Sequence, residues 1–225
     1  FWNRDGTVRL KHLQRILEFK RGDFFGKEII LVPTSEQDLL KNTNGECSLN
    51  PNKYTPVIEV VSPGSSSFTR LKKEMYISDD YETELRDLIK QKKAVVLAVE
   101  AGGRYVGRGT LRHDWGDETS IIEKDFPGLP QINALEIDED YRRRGLATML
   151  IAAAENEARC QGFSMIGLGV EISNKPAKRL YEKLGYSYQQ VGGSDTYDFL
   201  FGKPNPQVYK LRLMTKSLQT EANHD

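Results

Sequence analysis

The sequence predicts a mixed α/β fold, one sheet flanked by helices, on three observations. Residues 94–100, an apolar run rich in Val, and residues 104–111 flank Ala101-Gly102-Gly103, the pattern of an antiparallel hairpin. Further along, a strand over 131–138, a helical pattern over 146–161 and a strand over 163–171 make a β-α-β unit, whose strands must be parallel and joined by a right-handed crossover. A helix over 175–184 and two late strands follow. Strand pairs first and β-α-β later give a sheet of mixed direction.

The elements read in order as follows. Val8, Leu10, Leu13, Ile16 and Leu17 recur at helical spacing, which predicts an amphipathic helix over 7–20. Residues 27–32 read as a strand, and Thr34 with Gln37 is suited to cap a short helix. Residues 41–53 are polar and contain Asn, Pro and Gly, so they read as a loop or linker. A first core strand is expected over 57–62, then a turn at Pro63-Gly64-Ser65-Ser66-Ser67. Asp79 or Asp80 opens a helix to about 91, with Tyr81, Leu85, Leu88 and Ile89 on one face. Residues 112–130 read as a long acidic loop ending Pro127-Gly128-Leu129-Pro130. No internal repeat is present.

Bulk properties narrow the function. A chain of 225 residues can bury a substantial core as one large domain, or one domain with an extension. Its 32 basic and 32 acidic residues balance, so no global field draws it to nucleic acid or an anionic membrane. No apolar run approaches the roughly 20 residues of a membrane span. The start, Phe1-Trp2-Asn3-Arg4-Asp5, has no signal-peptide pattern and no initiator Met, so a fragment or trimmed chain is expected. Cys47 and Cys160 lack metal or redox spacing: the first reads as a loop thiol, the second as a small apolar residue late in a helix. No metal site is expected, and a reducing cytoplasm is.

The most informative stretch is 131–186. Gln131-Ile132-Asn133-Ala134-Leu135-Glu136-Ile137 empties into Arg142-Arg143-Arg144-Gly145-Leu146-Ala147, and a helix follows. A strand that turns through glycine into a helix presents the free amides of the first helical turn, with roughly half a positive charge from the dipole, to an anion. No Gly-Lys-Ser/Thr follows, and no Gly-x-Gly-x-x-Gly is present, so neither a Walker loop nor a dinucleotide turn is read. Three arginines in a turn are often only a solvated turn.

The surroundings change that reading. Arg142, Gly145 and Ala147 fill the pattern Gln/Arg-x-x-Gly-x-Gly/Ala, and Leu135, Ile137, Tyr141 and Arg142 match the Leu-x-Val-x-Pro-x-Tyr-Arg before it, with Glu139 in place of the proline. Asn174, Ala177, Leu180, Tyr181, Glu182, Lys183, Leu184, Gly185 and Tyr186 match a closing helix, and 211–216 matches a last strand. This resembles the GNAT (Gcn5-related) N-acetyltransferases over roughly 55–216. The resemblance implies a central, mostly antiparallel sheet with one splayed parallel strand pair, flanked by helices. It divides the chain into an N-terminal extension of unknown role (1–53), an acetyltransferase domain (54–216) and a polar tail (217–225). Acetyl-CoA is the implied co-substrate and an amine the acceptor, with neither nucleic acid nor membrane as partner and a homodimer as one expected assembly.

The resemblance also assigns roles. The backbone amides of Arg143, Arg144, Gly145, Leu146 and Ala147, with Arg142, would hold the pyrophosphate. The pantetheine arm would lie between the splayed strands, with an amide near Leu135 or Ile137 polarising the thioester carbonyl. Gly167 and Gly169 share one face of the second strand, and either the arm or a tightly packed helix would need them small. Asn174, Ala177 and Tyr181 fall on one helix face. The matching asparagine contacts the arm, and the matching tyrosine protonates the departing thiolate. A tyrosine of pKa ~10 carries that proton at neutral pH. Burial as a core aromatic is the competing account of Tyr181.

The acceptor must arrive neutral, which costs an amine of pKa ~10.4 about 4.6 kcal/mol at pH 7. Glu136 is the candidate base, ordered water the alternative, and a solvent-facing carboxylate the bland account. His113, a lone loop histidine, is a poor candidate. Asp114, Asp117, Glu118, Glu123 and Asp125, with Asp79, Asp80, Glu82 and Glu84, favour a small cationic amine, and Trp115 and Phe126 would wall an apolar part of its pocket. Two other readings compete: acetylation of a protein lysine or N-terminus, and a non-catalytic acyl-CoA sensor.

Overall fold

The computed structural model describes residues 56–115, 120–201 and 207–219. The elements expected within 1–53 lie outside them. The first strand, β1 (Val57–Val61), runs into two helices, α1 (Ser66–Glu74) and α2 (Asp79–Lys90). The hairpin follows as β2 (Ala94–Ala101) and β3 (Arg104–Arg112), turned by Gly102 and Gly103 at φ 66° and 78°. A short helix, α3 (Ser120–Asp125), precedes β4 (Gln131–Ile137), α4 (Leu146–Cys160) and β5 (Met165–Glu171). The chain ends with α5 (Lys175–Lys183), β6 (Ser187–Gln189), β7 (Tyr197–Phe201) and β8 (Gln207–Ser217).

Two of these elements depart from the sequence reading. The turn expected at 63–67 is the entrance to α1: the Ser65 hydroxyl accepts from the Phe68 amide at 3.0 Å, and Phe68 and Leu71 bury one face. The acidic loop also contains α3. β8 continues through Ser217, and Leu218 is buried, its amide donating to the Ser164 carbonyl at 2.8 Å.

The strands form one sheet in the order β1-β2-β3-β4-β5-β8-β6, antiparallel except for β4 beside β5. β6 and β7 lie end to end along the outer edge of β8. β2, Ala-Val-Val-Leu-Ala-Val-Glu-Ala, is almost uniformly apolar because it is covered on both faces. On one face lies α4. Leu150, Ile151, Ala154 and Ala158 pack with Val99, Leu111, Ile132, Ile166 and Leu168, and the alanines let the helix sit close. On the other face α1 and α2 bring Phe68, Leu71 and Leu85 onto Val96, Ala98 and Tyr105. A third cluster, Trp115, Ile122, Leu129, Val191, Tyr197 and Leu213, covers β5 and β8 on the face away from α4. Glu155 of α4 is buried with the Lys216 ammonium at 2.8 Å. Among the described residues no helix is long and apolar enough to cross a membrane. Cys160, expected to pack as an apolar residue, is exposed at the end of α4.

Buried phenols tie stability to alkaline pH. Tyr105 is pushed up to about 12 by burial first and then by its hydrogen bond to Glu59. Tyr181 is pushed up to about 12 by burial. Burial also raises Tyr186 and Tyr197. A phenol raised in the folded state ionises first in the unfolded chain. Its stabilisation is therefore complete below pH ~10 and lost as pH rises through 10 toward 12. Tm should be flat near neutrality and fall across that window, in step with phenolate absorbance. A flat Tm to pH 12 would contradict the buried placement.

Candidate active site

β4 carries an irregularity that the sequence does not announce. Arg108 pairs with Glu136 and Thr110 with Asn133, so three steps on β4 answer two on β3. The extra residue is a bulge, and Ala134 takes it in the left-handed region at φ 50°. Neither Ala134 nor Leu135 has a ladder partner on β3. On its other edge β4 pairs with β5 only at Gln131↔Gly167, where the Gly167 amide donates to the Pro130 carbonyl at 2.8 Å. Beyond that rung the two parallel strands share no further pair. Backbone groups in a sheet interior need partners, so this gap suits an extended, amide-bearing chain.

The turn after β4 is fastened by its own arginines. Asp138 caps a short 3-10 turn, Glu139–Tyr141, by accepting from the Asp140 amide at 3.1 Å. Arg142 Nε donates to the Ile137 carbonyl at 3.1 Å, and its guanidinium meets Glu139 at 3.0 Å. Arg144 donates to the Asp140 carbonyl at 2.8 Å and stacks 5.1 Å from the Tyr141 ring centroid. Arg143 and Gly145 both have positive φ, 60° and 81°. Gly145 has no side chain to cap α4, so the first-turn amides, those of Leu146 and Ala147 among them, have no side-chain cap. Loop shape, rather than arginine charge, prepares this end for an anion.

At the start of α5, Asn174 is the N-cap, its Oδ1 accepting from the Ala177 amide at 3.1 Å. That oxygen is committed to the helix, which leaves the amide nitrogen of Asn174 for a ligand. Tyr181 is 8% exposed, in the same cluster as α4, with Tyr186 at 6.0 Å between ring centroids. Its hydroxyl makes no hydrogen bond with the described residues. Burial holds the phenol at about 12, so it is protonated throughout the neutral range.

Glu136, half exposed, lies 3.0 Å from Arg108 across the strand pair. Serving as a base would take its carboxylate out of that ion pair. On the same face Tyr81 Oη lies 3.2 Å from Thr110 Oγ1 and 3.5 Å from Asn133 Oδ1. Several residues of the acidic clusters have internal partners. Asp114 and Glu84 meet Arg112 at 2.9 and 2.7 Å. Lys72 joins Asp79 and Glu82. Glu123 accepts from the Gly128 amide, and Asp125 from that of Gly192. Asp117 and Glu118 lie outside the described residues. Among the described residues, Asp114, Glu84, Asp79 and Glu82 are thus paired with cations, while Glu123 and Asp125 accept only from backbone amides.

The two β5 glycines serve neither of the purposes expected for them. A Cβ at Gly167 would stand 2.8 Å from Leu129 Cδ2, and one at Gly169 would stand 2.3 Å from Tyr197 Oη. Side chains of the acidic loop and of β7 fill that face. Trp115 belongs to this packing, its indole donating to the Leu129 carbonyl at 2.9 Å, with Phe126 against the same cluster. His113 packs against Phe163 in a tilted arrangement, ring centroids 5.2 Å apart.

The geometry agrees with comparisons against known proteins. The model of the Acetyltransferase (GNAT) family matches residues 65–186. An uncharacterized N-acetyltransferase of Methanocaldococcus jannaschii is 31% identical over 104 residues, 46% of this chain and 44% of the relative. An N-alpha-acetyltransferase of Sulfurisphaera tokodaii is 29% identical over 119 residues, 48% of this chain and 70% of that one. The match thus spans less than half the length of the first of these relatives. A Salmonella typhimurium protein described as an acetyltransferase, solved with its cofactor acetyl-CoA, shares the fold. Its TM-score is 0.53 at 16% identity, covering 76% of this chain and 98% of that one.

Proposed function

The chain belongs to the GNAT acetyltransferase family, and from that premise we propose that it moves an acetyl group from acetyl-CoA to a primary amine by direct attack in a ternary complex. Acetyl-CoA is the co-substrate of this family. The observation that carries the reading is the split between β4 and β5 beside the bulge at Ala134.

In this reading the amides of Arg143, Arg144, Gly145, Leu146 and Ala147 hold the pyrophosphate, and Arg142 keeps their loop in shape. The stretch from Leu135 to Ile137 offers backbone partners to the pantetheine arm, and an amide there polarises the thioester carbonyl. Ala177 gives the arm room, and Asn174 offers its amide nitrogen. Tyr181 gives its proton to the departing thiolate. Ordered water takes the amine's proton, with Glu136 as the alternative once it leaves Arg108. The retained, protonated Tyr181 supports an enzyme over an acyl-CoA sensor.

For the acceptor, a small amine remains the first reading. The pairing of Asp114, Glu84, Asp79 and Glu82 with Arg112 and Lys72 weakens the case for a strongly cationic one. The N-alpha-acetyltransferase relative favours a peptide N-terminus as the second reading. A panel of small amines and short peptides, incubated with acetyl-CoA and followed by thiol release and product mass, decides between them. Thiol release that depends on one class of amine is expected. A KM that rises with ionic strength would mark a cationic amine, and a KM indifferent to it a neutral or peptide amine. Release that no amine accelerates would overturn the catalytic reading.

A further inference from the structure

We propose that Glu155 and Lys216 are positioning residues for acetyl transfer, acting through Tyr186 on the phenol of Tyr181, an inference that rests on the proton-donor role given to Tyr181 above. Glu155 stands on the face of α4 that Leu150, Ile151, Ala154 and Ala158 turn to the sheet. Its side chain is 7% exposed. Both carboxylate oxygens accept from the Lys216 ammonium, at 2.9 and 2.8 Å. A buried ion pair brings no gain in stability over apolar residues of similar volume, because desolvating two charges offsets their attraction. Its presence here points to a task beyond packing.

The pair meets Tyr186 at two places. The Lys216 ammonium lies 5.6 Å from the ring centroid. The hydroxyl, which is buried, comes toward Glu155 short of hydrogen-bond geometry, and the charge of Glu155 adds to burial in raising it. Tyr186 in turn holds Tyr181. Its amide donates to the Tyr181 carbonyl at 3.0 Å, and the two rings are tilted with centroids 6.0 Å apart. Gly185, at φ 89°, makes the turn between α5 and Tyr186. A Cβ there would stand 3.8 Å from Lys216 Cε, so the lysine stem runs against that turn. The ion pair thus joins α4 to β8 beside the end of α5. Tyr181 Oη makes no hydrogen bond with the described residues, so packing aims it. A reacting group misplaced by ~1 Å can cost on the order of 10²-fold in rate.

Replacing both members, Glu155→Met with Lys216→Met, removes the charges and keeps the volume, so Tm and coenzyme A affinity should stay near those of the wild type. With acetyl-CoA and whichever amine most accelerates thiol release, the single-turnover rate should fall about tenfold, the scale of a displacement under ~1 Å. In a Tyr181→Phe background the same replacement should cost nothing further, because the donor it aims is gone. A folded double variant that keeps the wild-type rate overturns the proposal. So does an equal loss in both backgrounds, which marks a general effect on the fold. Tyr186→Phe deletes only the hydroxyl at Glu155 and serves if the paired variant does not fold. Its loss of rate must likewise vanish beside Tyr181→Phe, and an undiminished or additive rate overturns the proposal. If Tyr181→Phe alone leaves the rate unchanged, the donor role fails and the positioning with it, while acetyl transfer itself stands.

Discussion

Gly145→Glu should weaken coenzyme A binding by about a hundredfold or more. A hundredfold is about 2.8 kcal/mol, and like charges brought together at a binding surface cost several kcal/mol. Two effects add. The position needs φ 81°, where a residue with a Cβ is strained by ~1 kcal/mol or more. The new carboxylate would also stand at the uncapped start of α4, where the reading puts the pyrophosphate. Gly145→Ala separates the two, since it brings the strain without the charge, and its loss should be small. Titration calorimetry on both variants, each checked for folding, supplies the comparison. A folded Glu variant that binds as the wild type does would remove the anion site from α4.

Tyr181→Phe should lower kcat by ~10²–10⁴-fold, the range for loss of a general acid, with coenzyme A affinity and Tm nearly unchanged. The substitution deletes one hydroxyl that makes no hydrogen bond with the described residues and keeps the ring against Tyr186. Because burial holds the phenol at about 12, the proton it donates is present throughout the working pH range. Any rise of kcat/KM with pH near neutrality then belongs to the amine rather than to Tyr181. Single-turnover rates isolate the chemical step. An undiminished rate there would return Tyr181 to the role of a core aromatic.

How far the sequence could be read differs from element to element. The hairpin, the β-α-β unit and α5 stand close to their expected bounds, because each has a period and a terminator: Gly102-Gly103, the apolar stripe of α4, and Asn174 with Gly185. α1 is hidden in the sequence although Ser65 caps it and Phe68, Leu71 and Met75 recur at helical spacing. Pro63-Gly64 and three serines read more strongly as a turn. α3 is too short to show a period. The bulge at Ala134 has no compositional mark, since it replaces no residue and only shifts register against β3. Tyr81 and Tyr197 reach the site region by tertiary packing alone. The acidic residues were legible as charges but not as partners. Which arginine or amide would neutralise each of them depends on contacts between distant strands and loops, such as Arg112 with Glu84.

The single rung between β4 and β5 also bears on how the molecule resists opening. β1–β4 form one half-sheet and β5–β8 the other, and across the seam the backbone ladder contributes almost nothing. Two layers of side chains span the seam: α4 reaches Ile132 on one side and Ile166 and Leu168 on the other, and Trp115, Ile122 and Leu129 pack on the opposite face with Tyr197 and Leu213. The two halves are thus candidates for separate cooperative units joined by side-chain packing rather than by a backbone ladder. An extended ligand hydrogen-bonded to both seam edges would act as the missing strand and weld the units together. Saturation at a hundred times Kd adds about 2.7 kcal/mol to a fold that binds its ligand only when closed. In that arrangement the substrate is also a structural member, and the empty and loaded enzymes differ in rigidity more than in shape.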